Sequence, residues 1–169
     1  MTLLEKAKEY ATIYHSQTNH EYDEKPYSYH LQMVVDAAAG FIQLIPEHDR
    51  ETVLAACWCH DVIEDTRQTY NDVAKATSVE VAEIVYALTN EKGKNRKERA
   101  NDKYYAGIRA VPYAGFVKAC DRLANVLYSR HTSGKMFAAY KREHEQFRKE
   151  LYCDANKPIF DNIEMILND

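Results

Sequence analysis

Apolar positions recur along most of the chain at three- and four-residue spacing, the period of a helix with one buried face. Leu3, Leu4, Ala7, Tyr10, Ala11 and Tyr14 predict a first helix. Residues 15–28 are polar, carry Pro26 near their end and read as a loop. Ser28 is placed to cap a second helix that carries Leu31, Val34, Val35, Ala38, Phe41 and Ile42. Pro46 marks the next break, and Asp49 or Glu51 opens a third helix through Val53, Ala56, Cys57 and His60. A polar stretch over 64–69 precedes a short helix at 71–75, and Ser78 starts another that runs to about Leu88. Further helices are expected at 104–110, from 113 to about 130, at 136–151 and at 158–167, with Pro112 between the first two.

Five Gly and four Pro are too few for a turn-rich β fold, and no internal repeat or linker interrupts the pattern. The expectation is an all-α bundle of about eight to ten helices, residues 1–169 forming one domain.

Charge narrows the partners. Lys and Arg total 22 against 26 Asp and Glu, a formal charge of −4, which argues against duplex nucleic acid as a partner, since such binding needs a basic face. The longest apolar run, from Val53 to Cys59, is far short of a membrane span. Charges in Met1-Thr2-Leu3-Leu4-Glu5-Lys6 occupy the place of a secretory apolar stretch, and the cysteines Cys57, Cys59, Cys120 and Cys153 form no C-x-x-C pair. Free thiols in a reducing cytoplasm are expected. Cys57 and His60, spaced i, i+3, could share a metal, although zinc thiolate sites usually bring more than one cysteine.

The most distinctive local run is His60-Asp61-Val62-Ile63-Glu64-Asp65-Thr66. On a helix, His60 and Glu64 are i, i+4 neighbours, as are Asp61 and Asp65. They follow the apolar run directly, and an imidazole with three carboxylates at the edge of a core is costly unless paired or bound to a metal. Carboxylates also gain nothing at a helix C-terminus. A second His-Asp pair, His48-Asp49, sits in the polar break after Pro46, where Asp49 reads as a helix cap. His30 lies near the start of the second helix, and Asp121 lies inside the apolar helix segment Val117-Lys118-Ala119-Cys120-Asp121-Arg122-Leu123-Ala124-Asn125.

The order His30, His60-Asp61, Asp121 resembles that of the metal ligands in HD-domain phosphohydrolases. Pro26-Tyr27-x-x-His30, then His60-Asp61-x-x-Glu64-Asp65-Thr66, then Asp121-Arg122-Leu123-x-Asn125 is similar to the RelA/SpoT-type alarmone hydrolases, with the small members nearest in length. The resemblance extends from about Ala7 to Ser129 and includes the stretch from Thr69 to Val85. It implies an HD-domain fold and manganese-dependent removal of pyrophosphate from the 3′ position of guanosine tetra- or pentaphosphate. Carried over by position, His30, His60, Asp61 and Asp121 would ligate the metal. Glu64 and Asp65 would be the catalytic acidic pair, and Asn125 would contact the nucleoside. The ligand types suit manganese, iron or zinc. The 40 residues after Ser129 are too few for a synthetase domain, which needs at least about 50, so hydrolysis without synthesis is expected.

Other assignments rest on charge and position. The segment 89–103 is rich in bases, and Lys94, Arg96, Lys97 and Arg99 are candidates for holding distal phosphates, either on a mobile lid or as a solvated loop. Tyr27, Tyr29 and Tyr128 flank the motifs and suit base stacking or hydrogen bonding to substrate. Tyr10, Tyr14, Tyr86 and Tyr140 read as packing, Trp58 as core, and His15, His20, His131 and His144 as surface residues. Arg122 reads as the structural partner of a core carboxylate.

The chain departs from the family pattern in three places. Gln17-Thr18-Asn19-His20 lacks the usual loop Arg, Leu31 follows His30 where the family often has Pro, and Val126-Leu127-Tyr128 follows Asn125 in place of Met-Arg-Thr. These positions face base and phosphate; the metal and water-activating groups are intact. Two alternatives therefore stand beside the alarmone: another nucleotide or a phosphorylated dinucleotide cofactor as substrate, and a metal-bound nucleotide sensor without turnover. Setting the four site acids aside leaves the remaining charges formally balanced, which accommodates a cation and a small phosphorylated nucleotide.

Overall fold

Six helices begin where a short polar side chain can satisfy their free N–H groups. A computed structural model describes residues 1–169. Its elements are α1 (Leu3–Gln17), β1 (Glu21–Tyr22), β2 (Lys25–Pro26), α2 (Ser28–Gly40), α3 (Arg50–Cys59), α4 (Val62–Asp65), α5 (Tyr70–Ala76), α6 (Val79–Ala87), α7 (Arg96–Arg99), α8 (Asp102–Ala110), α9 (Ala114–Thr132), α10 (Gly134–Leu151) and α11 (Lys157–Leu167). Thr2 with Glu5 and Thr69 with Asp72 form reciprocal capping boxes. Ser78, Asn95, Asn101 and Ser133 each accept from a backbone N–H in the first turn of their helix. Two expected caps behave otherwise. Ser28 is the first helical residue of α2, behind Tyr27. Asp49 makes no cap bond, because its carboxylate accepts from the Tyr113 hydroxyl.

The apolar run Val53 to Cys59 is buried apart from Leu54. It makes α3 the centre of one layer, packed against α1, α2 and α6. The longest helix, α9, is the second spine and packs against α2, α10 and α11. Because α2 touches both α3 and α9, three mutually packed helices converge at one point, and each brings one of the expected metal-binding segments. Among the tyrosines read as packing, Tyr140 is buried. Tyr86 is 62% exposed, a correction: α6 buries Val81, Ala82, Ile84 and Val85, and Tyr86 meets only Tyr70 edge-on at 6.0 Å.

The stretch 15–28 is more ordered than its polar composition predicts. Glu21 pairs with Pro26 and Tyr22 with Lys25 in an antiparallel ladder. The turn residues Asp23 and Glu24 have φ of 51° and 65°. Positive φ at both central residues is the geometry of a tight two-residue hairpin, usually built with Asn-Gly. Here Asp-Glu adopts it, which hid the hairpin from a reading of the sequence.

Candidate metal centre

A regular helix points neighbouring residues about 100° apart, so His60 and Asp61 would diverge if α3 simply continued. It does not continue. The α-helix stops at Cys59, turns through His60 and Asp61, and resumes as α4. The turn brings Asp61 Oδ2 to 3.0 Å from His60 Nε2. His60 Nε2 is also 3.3 Å from Asp121 Oδ1 on α9. His30 on α2 places its Nε2 2.9 Å from Asp121 Oδ1 and 4.0 Å from Asp61 Oδ2. Three of the residues expected as ligands, His30, His60 and Asp121, therefore meet, and Asp61 adjoins them through the two imidazoles.

These atoms fit a cation better than they fit one another. His60 Nε2 is buried and has no hydrogen-bond partner, although two carboxylate oxygens stand beside it. Donors each roughly 2.0–2.2 Å from a shared ion lie roughly 3–4 Å from one another, the spacing between each imidazole and its carboxylates here. The other ring nitrogen, His60 Nδ1, donates to the Cys57 carbonyl at 2.8 Å. That bond aims Nε2 at the carboxylates, the usual outer support of a ligating imidazole. Cys57 thus supports the site through its backbone oxygen and not, as the i, i+3 spacing allowed, through its sulfur. Two imidazoles and two carboxylates suit a divalent transition metal.

Electrostatics point the same way. Burial raises the Asp121 carboxyl, but Lys118 and His60 outweigh it and hold Asp121 well below the carboxylate range. Burial would likewise raise Asp61, and the adjacent His60 overcomes it. Both carboxylates are therefore held ionised inside the fold, where charge needs a counterion. Lys118 is the residue the sequence reading missed. Its Nζ donates to Asp121 Oδ2 at 3.1 Å. Its signal was present: a lysine three residues before Asp121, on the same face of an otherwise apolar helix segment.

The expected acidic pair adjoins this cluster through Asp61, whose carboxylate groups with those of Glu64 and Asp65. Burial, then the Asp61 and Glu64 charges, push Asp65 up to about 8. Partial desolvation and Asp61 also raise Glu64, which still reaches solvent and accepts from the Asn90 N–H at 2.7 Å. That bond fastens the base-rich segment to the acidic pair.

The residues expected at the substrate divide. Asn125 sits beside the cluster, and Tyr128 lies one ring further out, against Tyr22. Asn125 Nδ2 donates to Asp121 Oδ1 at 3.2 Å, and Asn125 Oδ1 accepts from the Tyr22 hydroxyl at 2.7 Å. The Tyr128 hydroxyl donates to Asp23 and accepts from Lys25 Nζ at 3.0 Å. Tyr27 instead donates its hydroxyl to Asp61. Arg96 makes a two-pronged bond to Glu143, at 2.9 and 3.0 Å, tying α7 to α10. Lys94 is exposed and its N–H bonds Glu98 at 2.7 Å. Arg122 is buried between the rings of Tyr140 and Phe147, 4.9 and 4.2 Å away, with Glu143 at 3.8 Å.

Two histidines read as surface residues belong to the wall of the centre. His15 is 1% exposed and stacks on Tyr27 at 4.6 Å, and His20 stacks on the same ring at 3.8 Å. Their Nδ1 atoms are 2.9 Å apart. Packing on Tyr27 buries His15 and half-buries His20, a contact made by the hairpin's return and invisible in helical periodicity.

No protein-family model matches the chain. A solved structure of a metazoan ortholog of SpoT, described as hydrolysing ppGpp and acting in starvation responses, superposes with a TM-score of 0.78. The superposition covers 99% of this chain and 95% of that one at 22% identity. The chain has the all-α HD-domain fold of the SpoT ortholog. In sequence, 76 residues are 32% identical to the guanosine-3′,5′-bis(diphosphate) 3′-pyrophosphohydrolase MESH1 of Drosophila melanogaster. That match spans 45% of this chain and 42% of the fly protein's length. On this SpoT-like fold, no helix is long and apolar enough to cross a membrane.

Proposed function

We propose that this chain is a divalent-metal-dependent phosphohydrolase that removes pyrophosphate from the 3′ position of guanosine tetra- or pentaphosphate, residues 1–169 acting as one domain. The observation that carries the reading is the position of Asp61. It stands 3.0 Å from the unpartnered His60 Nε2 and also groups with Glu64 and Asp65, so ligands and acids share one site. The SpoT-like fold and the sequence match to the fly 3′-pyrophosphohydrolase supply the substrate class.

His30, His60, Asp61 and Asp121 would hold the cation, manganese by the family resemblance. When bound it polarises a phosphoryl oxygen and lowers the pKa of water. Glu64 or Asp65 orients the attacking water and takes its proton, which requires hydrogen-bond reach. Pure binding has no need of such a pair, so we favour an enzyme over a sensor. Lys118, beside Asp121, supplies positive charge for the phosphates of the substrate, with Arg96, held by Glu143, as a further candidate. All four cysteines are free and three are buried, which suits a reducing compartment, and we place the reaction in the cytoplasm.

A second reading, another phosphorylated nucleotide as substrate, is favoured by one feature: Asn125 already bonds Tyr22 and Asp121 in a chain that lacks the family's loop Arg. Metal-stripped protein given manganese and a nucleotide panel tests the proposal. Turnover restored by metal on the guanosine tetraphosphate is the expected result; turnover of a different nucleotide alone selects the second reading; metal and nucleotide binding without turnover selects a sensor.

A further inference from the structure

The resemblance assigns the nucleoside to Asn125, yet both ends of that amide are occupied. Its oxygen accepts from Tyr22 at 2.7 Å, and its NH₂ donates to Asp121 at 3.2 Å. Tyr22 comes from the β1–β2 hairpin and belongs to none of the matched motifs. Its ring stacks on the ligand candidate His30, with centroids 4.6 Å apart and planes 22° apart. It also stands 5.1 Å from the Tyr128 ring. Tyr29 lies 6.0 Å beyond Tyr128 and is 43% exposed. Lys25, paired with Tyr22 across the hairpin, places its Nζ 5.2 Å from the Tyr29 ring and 5.5 Å from the Tyr128 ring. A row of tyrosines around one lysine thus leads from His30 to solvent.

Such a row suits a nucleoside. Aromatic faces stack on any base, and a lysine between them meets base carbonyl or phosphate oxygens. We propose that Tyr22, with Tyr128 and Lys25, forms the wall that receives the base and ribose, and that Tyr22 determines which nucleotide is accepted. This rests on the reading of the site as a nucleotide phosphohydrolase. The loop Arg of the family is replaced in role by a hairpin of different chemistry. Asn125 becomes the link by which Tyr22 is registered against Asp121, and base stacking passes to the tyrosines.

The two expected products separate the wall from the metal-facing end, since GDP carries a nucleoside and inorganic pyrophosphate does not. Calorimetric titration of manganese-loaded protein with each provides the test. Tyr22→Ala is expected to weaken GDP roughly tenfold or more, the scale of a lost base–aromatic stack. Pyrophosphate should stay within about twofold, and Tyr22→Phe, which keeps the ring but loses the Asn125 bond, should weaken GDP less than Tyr22→Ala does and leave pyrophosphate within the same limit. Tyr128→Ala, which does not contact His30, should repeat the Tyr22→Ala pattern and serves if that variant fails to fold. Equal weakening of both ligands makes Tyr22 a prop of the metal centre and overturns the proposal, as does an unchanged GDP affinity. Wild-type protein that binds pyrophosphate but no nucleotide refutes the nucleotide reading itself, and this inference with it.

Discussion

The Tyr27 hydroxyl donates to Asp61 Oδ2, the same oxygen that stands 3.0 Å from His60 Nε2. On the proposed function, Tyr27 acts on the metal centre from outside, by fixing the direction of Asp61 as a ligand. Tyr27→Phe keeps the stacked ring and removes the bond. Loss of such an outer partner typically costs 10–100-fold in metal affinity or activity. The expected result is manganese affinity about tenfold weaker with an unchanged far-ultraviolet dichroism spectrum. Unchanged affinity would show that Asp61 is held by His60 alone.

Ligand and acid roles separate by substitution. Asp61→Ala should lose bound manganese and turnover together. Glu64→Gln should keep manganese, because Glu64 lies outside the four-residue cluster, while turnover falls about 100-fold or more, the scale of general-base loss. Metal content and rate are measured on the same preparation. Full activity in Glu64→Gln removes Glu64 from the mechanism and leaves Asp65 as the base.

His15 sets part of the acid limit of stability. Burial, with His20, His60 and His30 nearby, lowers its pKa to about 4 against an opposing pull from Asp61. The unfolded chain, with an ordinary histidine near 6.5, then binds the proton first as pH falls. This contribution is fully present above pH 6.5 and is lost as pH falls toward 4. The loss amounts to about 2 kcal/mol by pH 5. Denaturant titrations at pH 7.5 and 5.0 should show wild type losing about that much more than His15→Leu. Equal losses would mean that His15 is protonated in the fold.

The helices were legible because the apolar spacing of α1, α9 and α11 is set by burial on one face, and because Ser78 caps where its side chain permits. The metal-site candidates were legible because charged groups placed beside an apolar run need a reason to be there. What the sequence hid depends on contacts between distant segments. Lys118 reads as a surface lysine until α9 is packed against α2 and α3. His15 and His20 read as surface residues until the hairpin lays the Tyr27 ring against both. The hairpin itself was hidden by two-residue strands and by a turn, Asp23-Glu24, whose conformation is the property of other residues.

That turn yields a prediction of its own. Glu24 holds φ at 65°, a region costing most L-residues roughly 1–2 kcal/mol and glycine almost nothing. Glu24→Gly relieves that strain and adds freedom to the unfolded chain, so the expected net gain is about 0.5–1 kcal/mol in denaturant unfolding. A loss of stability would mean that the Glu24 side chain makes compensating contacts in solution.

The account's central claim is a specific bond cleavage, and the products report it directly. Manganese-loaded protein is incubated with guanosine 3′,5′-bis(diphosphate), and the mixture is resolved by anion-exchange chromatography and phosphorus NMR. The account predicts GDP and inorganic pyrophosphate in equal amounts, with neither formed when manganese is withheld or Asp121 is replaced by Ala. Orthophosphate in place of pyrophosphate, or intact substrate under conditions where metal is bound, would contradict it.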